Sequence, residues 1–223
     1  MQIKSKVPVP DRLVENIFRK YSDSFEYKRG VVELRRILKK NSKLINPKSL
    51  SRLGFLYDHL VLQQKSKSSR KKLEDKALSL YRQALRLNPN FTGAVWGIGR
   101  VWWHRRSNKA IPYALRAYKL YKKEGGKGGL YAQNVGLVYE SLGIYREAEK
   151  WLLKGLAEND KDFGVYLNLV VFYRLTHKFT KAKFFSKKLD QLYREEPYKF
   201  RRTPWGRRIQ DVIKNADQPL QKK

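Results

Sequence analysis

The sequence predicts an all-α protein, built as a right-handed solenoid of helix-turn-helix repeats with roughly ten or eleven helices. Three observations lead to this fold class. A motif that ends in an aromatic residue recurs four times, a second amphipathic segment follows each copy, and two copies share a register of 34 residues. Because 41% of the residues are apolar and 13% are aromatic, a folded body is expected despite a formal net charge of +30.

The four copies of the motif place large residues, a small residue or valine, and an aromatic residue at helical spacing. In chain order they read Leu50-x2-Leu53-Gly54-x2-Tyr57, Val95-x2-Ile98-Gly99-x2-Trp102, Ala132-x2-Val135-Gly136-x2-Tyr139 and Tyr166-x2-Leu169-Val170-x2-Tyr173. Each copy is predicted to be the first helix of a pair. The second helices contain small residues, which let paired helices approach closely; these helices begin their pattern at Ala77, Ala110, Ala148 and Ala182.

This pattern resembles the tetratricopeptide repeat. Gly136 and Val170, like Ala148 and Ala182, are 34 residues apart, which is the period of that family. The resemblance implies that the first helices line a concave groove and that a protein or peptide partner binds there. It also implies four repeats, at residues 47–90, 91–128, 129–162 and 163–197.

Other elements are predicted around and within these repeats. Residues 1–10 are an N-terminal tail, 11–46 a degenerate helical repeat, 198–216 a capping helix and 217–223 a basic tail. Thr203 and Pro204 are predicted as the N-cap and first residue of the capping helix. The basic run at residues 65–72 is predicted to be an extended loop, and Pro112 to lie in the first turn of its helix.

The predicted groove residues are those on the first helices that the repeat pattern does not use for packing. Asn134 and Asn168 hold the same position in consecutive repeats. An asparagine both donates and accepts hydrogen bonds, so this pair is suited to binding the backbone of an extended peptide. The complete predicted set is Arg52, Trp96, Arg100, Trp103, Gln133, Asn134, Leu137, Asn168 and Arg174.

The uneven distribution of basic residues supports an alternative hypothesis. Basic clusters interleaved with aromatic residues attract polyanions, and phosphate backbones are the commonest of these. Solvated lysines on outer helix faces, or a lysine-rich proteome, would give a similar count without any binding, and the sequence has no RNA-binding signature. The candidate polyanion-binding residues are Lys65, Lys67, Arg70, Lys71, Lys72, Arg105, Arg106, Lys109, Arg201, Arg202, Arg207 and Arg208.

The sequence contains no constellation of catalytic or metal-binding residues. It has no cysteine and no His-Glu-x-x-His motif, and its three histidines fall in different repeats. The glycine run around Lys127 lacks the hydroxyl residue and the preceding strand of a phosphate loop. We therefore expect no catalysis, cofactor, metal ion or small-molecule substrate.

The predicted function is that of a non-enzymatic scaffold or adaptor that holds a protein or peptide segment in its groove. The alternative is association with RNA, ribosomes or another polyanion. The most apolar stretches, residues 91–103 and 166–173, are shorter than the roughly 20 residues of a membrane-spanning helix. The N-terminus lacks the apolar core of an export signal, so a cytoplasmic protein without a transmembrane segment is expected.

Overall fold

The chain is described by a computed structural model at residues 9–126, 129–195 and 204–220. Within these ranges it forms eleven α-helices, a short 3-10 helix (Ser42–Leu44) and no β-strand, so the predicted all-α fold class is confirmed. None of the described helices has the length and the apolar composition that crossing a bilayer requires. The helices are α1 (Val9–Asp23), α2 (Tyr27–Lys40), α3 (Pro47–Val61), α4 (Lys67–Leu87), α5 (Thr92–His104), α6 (Ala110–Lys123), α7 (Leu130–Ser141), α8 (Tyr145–Glu158), α9 (Phe163–Leu175), α10 (Phe179–Glu195) and α11 (Pro204–Lys214).

The helices pack as successive pairs inside two compact units, Met1–Leu120 and Tyr121–Lys223. In the first unit α1 packs on α2 and α3 packs on α4, and in the second α7 packs on α8 and α9 packs on α10. First helices of neighbouring pairs also touch: α1 contacts α3, α3 contacts α5, and α7 contacts α9. This is the packing expected of helix-turn-helix repeats, in which each pair buries its apolar faces against its neighbours.

Glycines of the repeat motif lie where paired helices come closest. A β-carbon at Gly136 in α7 would lie 2.8 Å from Cγ of Leu152 in α8, and one at Gly99 in α5 would lie 3.0 Å from Cβ of Tyr113 in α6. Larger residues would push these helices apart. The motif frame assigned from the sequence is therefore confirmed for these two pairs.

The core of the first unit is built around Tyr81 of α4, which is 1% exposed. Its ring lies against the backbone of Gly54 in α3 and Gly97 in α5. The leucines Leu34 and Leu56, both fully buried, belong to the same core. Helix α3, which carries part of this core, has Asn46 as its N-cap and a proline as its first residue. Asn46 and Ser49 form a capping box.

The basic run at residues 65–72 is helical from Lys67 onwards, so the predicted extended loop is wrong. Ser66 is the N-cap of α4, and its side-chain oxygen accepts a hydrogen bond from Ser69 N at 3.4 Å. Lysine and arginine are good helix formers, so the extra residues of this repeat lengthen the helix. As a result α4 has 21 residues, against 15 in its partner α3.

The core of the second unit contains a fully buried side chain from each of the helices α8, α9, α10 and α11. These are Leu152, Leu169, Leu189 and Ile209. The terminal helix α11 packs on α9 and α10 and begins at Pro204 as predicted. Pro112 is the third residue of α6, in the first turn, also as predicted. The predicted N-cap Thr203 and most of the two predicted tails, at residues 1–8 and 221–223, lie outside the described residues.

Candidate functional site

A row of half-buried side chains runs along each of the first helices α3, α5, α7 and α9, beside the face that packs in the core. Its members are three or four residues apart, which places them on one side of each helix. We call the part of this row within each unit the first-helix stripe of that unit. The row consists of Arg52, Phe55 and His59 on α3, Trp96, Arg100 and Trp103 on α5, Tyr131, Asn134 and Leu137 on α7, and Gly164, Asn168 and Val171 on α9.

Trp96 and Trp103 of α5 lie side by side on the stripe. Their ring centroids are 6.2 Å apart, with the ring planes at 35°. Gly97 and Val101, which lie between them in the sequence, are buried, whereas both indoles are half-buried. Each ring therefore keeps part of its apolar surface open to a partner.

Phe55 and His59 also belong to the stripe, although the sequence prediction does not include them. Their rings stack with centroids 4.1 Å apart. The signal that could have found them is their helical spacing from Arg52, by three and seven residues. Together with the tryptophans they give the stripe of the first unit a mainly aromatic surface.

Arg52 belongs to the stripe and is held against α1 rather than left unpacked. Its guanidinium donates to both carboxylate oxygens of Glu15 at 3.2 Å and lies over the Phe18 ring, 4.2 Å from the centroid. Burial raises the pKa of Glu15. Arg52 and the neighbouring cations lower this pKa by more than burial raises it, so it lies below its usual value. About a third of the Arg52 side chain (35%) stays exposed.

Arg100 also lies on the stripe, but its guanidinium is engaged in a largely buried ion pair. Its Nε donates to Oδ2 of Asp58 at 2.6 Å, and only 11% of the Arg100 side chain and none of the Asp58 side chain is exposed. A second donor, Nη2, reaches the Tyr81 hydroxyl at 3.3 Å. The carboxylate thus satisfies a guanidinium that could not otherwise be buried.

Two histidines from different repeats complete this buried polar cluster. His59 Nε2 lies 3.1 Å from Arg100 Nη1, and His104 Nδ1 lies 3.5 Å from Asp58 Oδ1. Burial and Arg100 lower the pKa of His59 to about 4. Burial raises the pKa of Asp58, but His104 and Arg100 outweigh this and hold it below its usual value. Among the described residues no group of three side chains is arranged to hold a metal ion.

Arg174 of α9 is another predicted groove residue that the fold uses internally. It is 7% exposed, and its Nε donates to the backbone oxygen of Gln218 at 2.9 Å. It therefore ties α9 to the segment that follows α11. The prediction that it lines a groove is wrong.

The predicted asparagine pair is not symmetrical. Asn168 Nδ2 donates to Oε1 of Gln133 at 3.1 Å, whereas Asn134 makes no side-chain hydrogen bond within the described part of the chain. Gln133 itself is 3% exposed, so its prediction as a groove residue is wrong. Its Nε2 has no partner among the described residues. Asn134 thus has both amide groups available, while Asn168 supports the glutamine behind it.

We expect the two asparagines to differ in their effect on stability. Asn168→Ala removes the remaining hydrogen-bond partner of a buried amide, which lowers the free energy of unfolding by about 1–3 kcal/mol. Asn134→Ala removes no hydrogen bond and should change it by less than about 0.5 kcal/mol. Urea unfolding followed by circular dichroism measures both, and equal losses would contradict the asymmetry.

The candidate polyanion-binding residues belong to both units. In the first unit, the α4 run brings Lys67, Arg70 and Lys71 to an open pocket that Arg105 also lines. Lys65, Lys72, Arg106 and Lys109 are exposed in the same unit. In the second unit Arg207 and Arg208 are exposed on α11, and Arg201 and Arg202 lie outside the described residues.

Solved structures with the same fold include PilW and PilF. PilW, a widely conserved type IV pilus biogenesis factor, has 18% identity and a TM-score of 0.65, and the match covers 95% of this chain and 90% of PilW. PilF of Pseudomonas aeruginosa has 16% identity and a TM-score of 0.59, with coverage of 93% and 90%. A chain of the APC/C hetero-tetramer Cut9-Hcn1 has 16% identity and a TM-score of 0.61. That match covers 89% of this chain but 34% of the other, so the chain spans about a third of its length.

These likenesses confirm the repeat fold that the sequence motif predicts. The chain shares with these proteins a fold of stacked helix-turn-helix repeats. No protein-family model matches the sequence, and no curated protein matches it. At identities of 16% and 18% the likeness shows the fold alone.

Proposed function

We propose that the chain is a non-enzymatic scaffold that binds a protein segment on the first-helix stripe of its first unit. The observation that supports this most is the pair of indole rings of Trp96 and Trp103 on α5, 6.2 Å apart and outside the core. Tryptophan is enriched among the residues that dominate binding energy at protein interfaces. Two such rings on one helix face offer an anchor for an apolar or aromatic side chain of a partner.

The surroundings of these rings are preorganised. Arg100 lies over the Phe55 ring at 4.3 Å while its charge is taken up by Asp58, so the surface beside the tryptophans is rigid and largely neutral. A rigid surface loses less conformational entropy when it binds. The Cut9 neighbour is a member of a hetero-tetramer with Hcn1, which agrees with a protein-binding use of this fold.

A selected peptide makes this proposal testable. The probe is a peptide obtained from a displayed random library on nuclease-treated protein, and its Kd is measured for each variant by calorimetry. We expect Trp96→Ala and Trp103→Ala each to raise the Kd about tenfold or more, as loss of an interface anchor does. Because both rings are half-buried, the melting temperature of each variant is measured as well, and a rise in Kd supports the proposal only for a variant that stays folded.

Trp151 on α8 provides the matched control. It is also half-buried, and Lys154 Nζ lies 4.8 Å from its ring centroid, but it belongs to a second helix and not to the stripe. Trp151→Ala should leave the Kd unchanged. A peptide whose affinity depends on Trp151 and not on the two α5 tryptophans would refute the stripe as the binding surface.

A further inference from the structure

We propose that one edge of the first unit binds the surface of an anionic lipid bilayer. This edge, which we call the turn edge, consists of the turns that join the helices of each pair, at residues 24–26, 62–66 and 105–109, together with the first residues of α4, 67–72. It carries lysines, arginines and two exposed apolar side chains. This activity is separate from protein binding on the first-helix stripe.

The turn edge has an excess of cations without counterions. Arg105 pairs with Glu74 at 2.6 Å and Asp75 at 3.7 Å, and Arg29 pairs with Glu26 at 2.8 Å. Asp23 is the remaining acid of the first turn. Against these, six exposed cations have no described carboxylate within ion-pair distance: Lys65, Lys67, Arg70, Lys71, Arg106 and Lys109.

An open pocket lies within this edge. It has a volume of about 570 Å³ and is lined by Lys67, Arg70, Lys71, Glu74, His104 and Arg105. Because cations outnumber its single carboxylate, the pocket suits an oxyanion such as the phosphate of a lipid headgroup. The cap of α4 at Ser66 places the positive end of that helix on the same edge.

Hydrogen bonds fix the first two turns against each other. Gln63 Nε2 donates to the backbone oxygen of Phe25 at 3.2 Å, and Arg70 Nε donates to that of Gln64 at 2.7 Å. The α1–α2 turn, the α3–α4 turn and the start of α4 thus form one continuous surface. An apolar side chain on the first turn lies beside the cations on the second.

Phe25 and Leu62 are the apolar tips of this surface, 64% and 60% exposed. Phe25 has a φ of +58°, a conformation that bulky residues rarely adopt. This is the left-handed position that commonly follows a helix end, and Arg106 and His177 adopt it too. The Phe25 ring meets the Tyr27 ring edge-on, with centroids 6.1 Å apart, and the rest of it is open to solvent.

A bilayer fits this combination better than a nucleic acid. Successive bases stack on several open aromatic faces, but the Trp102 ring beside this edge is covered by Arg105 at 5.1 Å and Lys109 at 4.8 Å, which leaves Phe25 as the open ring among the described residues of the edge. Leu62 has no aromatic face at all. At a membrane, lysines and arginines attract anionic headgroups while apolar tips insert among the acyl chains, so both features of the edge are used.

Vesicle binding tests the charges. Partition coefficients are measured by co-sedimentation with vesicles of phosphatidylcholine alone and of phosphatidylcholine with phosphatidylserine. We expect binding only to the anionic vesicles, weakening with salt. The variant Lys67→Gln, Arg70→Gln, Lys71→Gln should lower the partition coefficient about a hundredfold. The control variant Arg36→Gln, Lys39→Gln, Lys40→Gln also removes three positive charges, but at the end of α2 that lies away from the turn edge. It should change the partition coefficient only slightly.

The apolar tips are tested separately. Phe25→Gly should lower the partition coefficient about fivefold while keeping or raising the melting temperature, because glycine relieves the positive φ. Leu62→Ala should have a similar effect on binding. Leu87→Ala is the matched control, since this leucine is 58% exposed at the opposite end of α4 and should not contribute.

Three outcomes would overturn the proposal. Equal losses from the two charge variants would mean that total charge alone attracts the vesicles. Binding to single-stranded RNA but not to vesicles, unaffected by Phe25→Gly, would assign the edge to nucleic acid. Competition by inorganic phosphate, with no effect of either apolar variant, would reduce the site to a pocket for a free phosphate.

Discussion

Asp58→Ala is expected to lower the free energy of unfolding by about 3–5 kcal/mol, the usual loss when one partner of a buried ion pair is removed. The variant leaves the guanidinium of Arg100 buried without its carboxylate. It also removes the anion that faces His104. Urea unfolding followed by far-UV circular dichroism measures the loss.

A double variant separates the unpaired charge from the lost packing volume. Asp58→Leu combined with Arg100→Met replaces both charges by apolar side chains, which often restores stability at buried ion pairs. We expect the double variant to be more stable than Asp58→Ala. If Asp58→Ala unfolds at the same urea concentration as the wild type, Arg100 must reach solvent, and the buried cluster would be wrong.

Gly97→Ala is expected to have the second largest effect, a loss of about 3 kcal/mol. A β-carbon at Gly97 would lie 2.3 Å from two atoms of the Tyr81 ring. That ring has no room to move aside, because it also packs closely against the backbone of Gly54. In addition, its hydroxyl accepts a hydrogen bond from Arg100. The new methyl group must therefore push α5 away from α4.

Gly93→Ala on the same helix is the matched control. Its nearest neighbours would be Cε1 of Phe91 at 3.2 Å and Oγ of Ser51 at 3.3 Å, a tight but adjustable contact. The gain in helix propensity of about 1 kcal/mol opposes this strain, so the net change should be less than about 1 kcal/mol. Similar losses from the two variants would show that backbone flexibility, and not the tyrosine ring, explains the effect of Gly97→Ala.

Much of the fold follows from the sequence because local rules and repetition agree there. The spacing of large and small residues places first and second helices, and Gly136 contacts Leu152 as the frame requires. Pro204 and Pro112 lie in first turns because proline lacks the donor that only the first turn can spare. The start of α4 is different: a run of lysine, serine and arginine is equally compatible with a loop, and the Ser66 cap selects the helix.

The candidate site was harder to predict because exposure depends on partners that are distant in the sequence. The spacing places Arg100 on the outward side of α5, but Asp58 lies 42 residues earlier on the helix beside it. The aspartate is the missed signal, since a carboxylate within the apolar α3 segment needs a buried cation. Gln133 and Asn168 are likewise joined only by the packing of α7 on α9.

The start of α4 has a different kind of stability from the rest of the first unit. Its first fully buried side chain is Ala77, ten residues after the helix begins, and before it only Leu73 packs against the core. Lys67, Arg70 and Lys71 repel one another across adjacent turns. Local opening of this segment therefore exposes little apolar surface and relieves charge repulsion. Salt screens this repulsion, so we expect amide protection in this segment to rise with ionic strength while the core below remains closed.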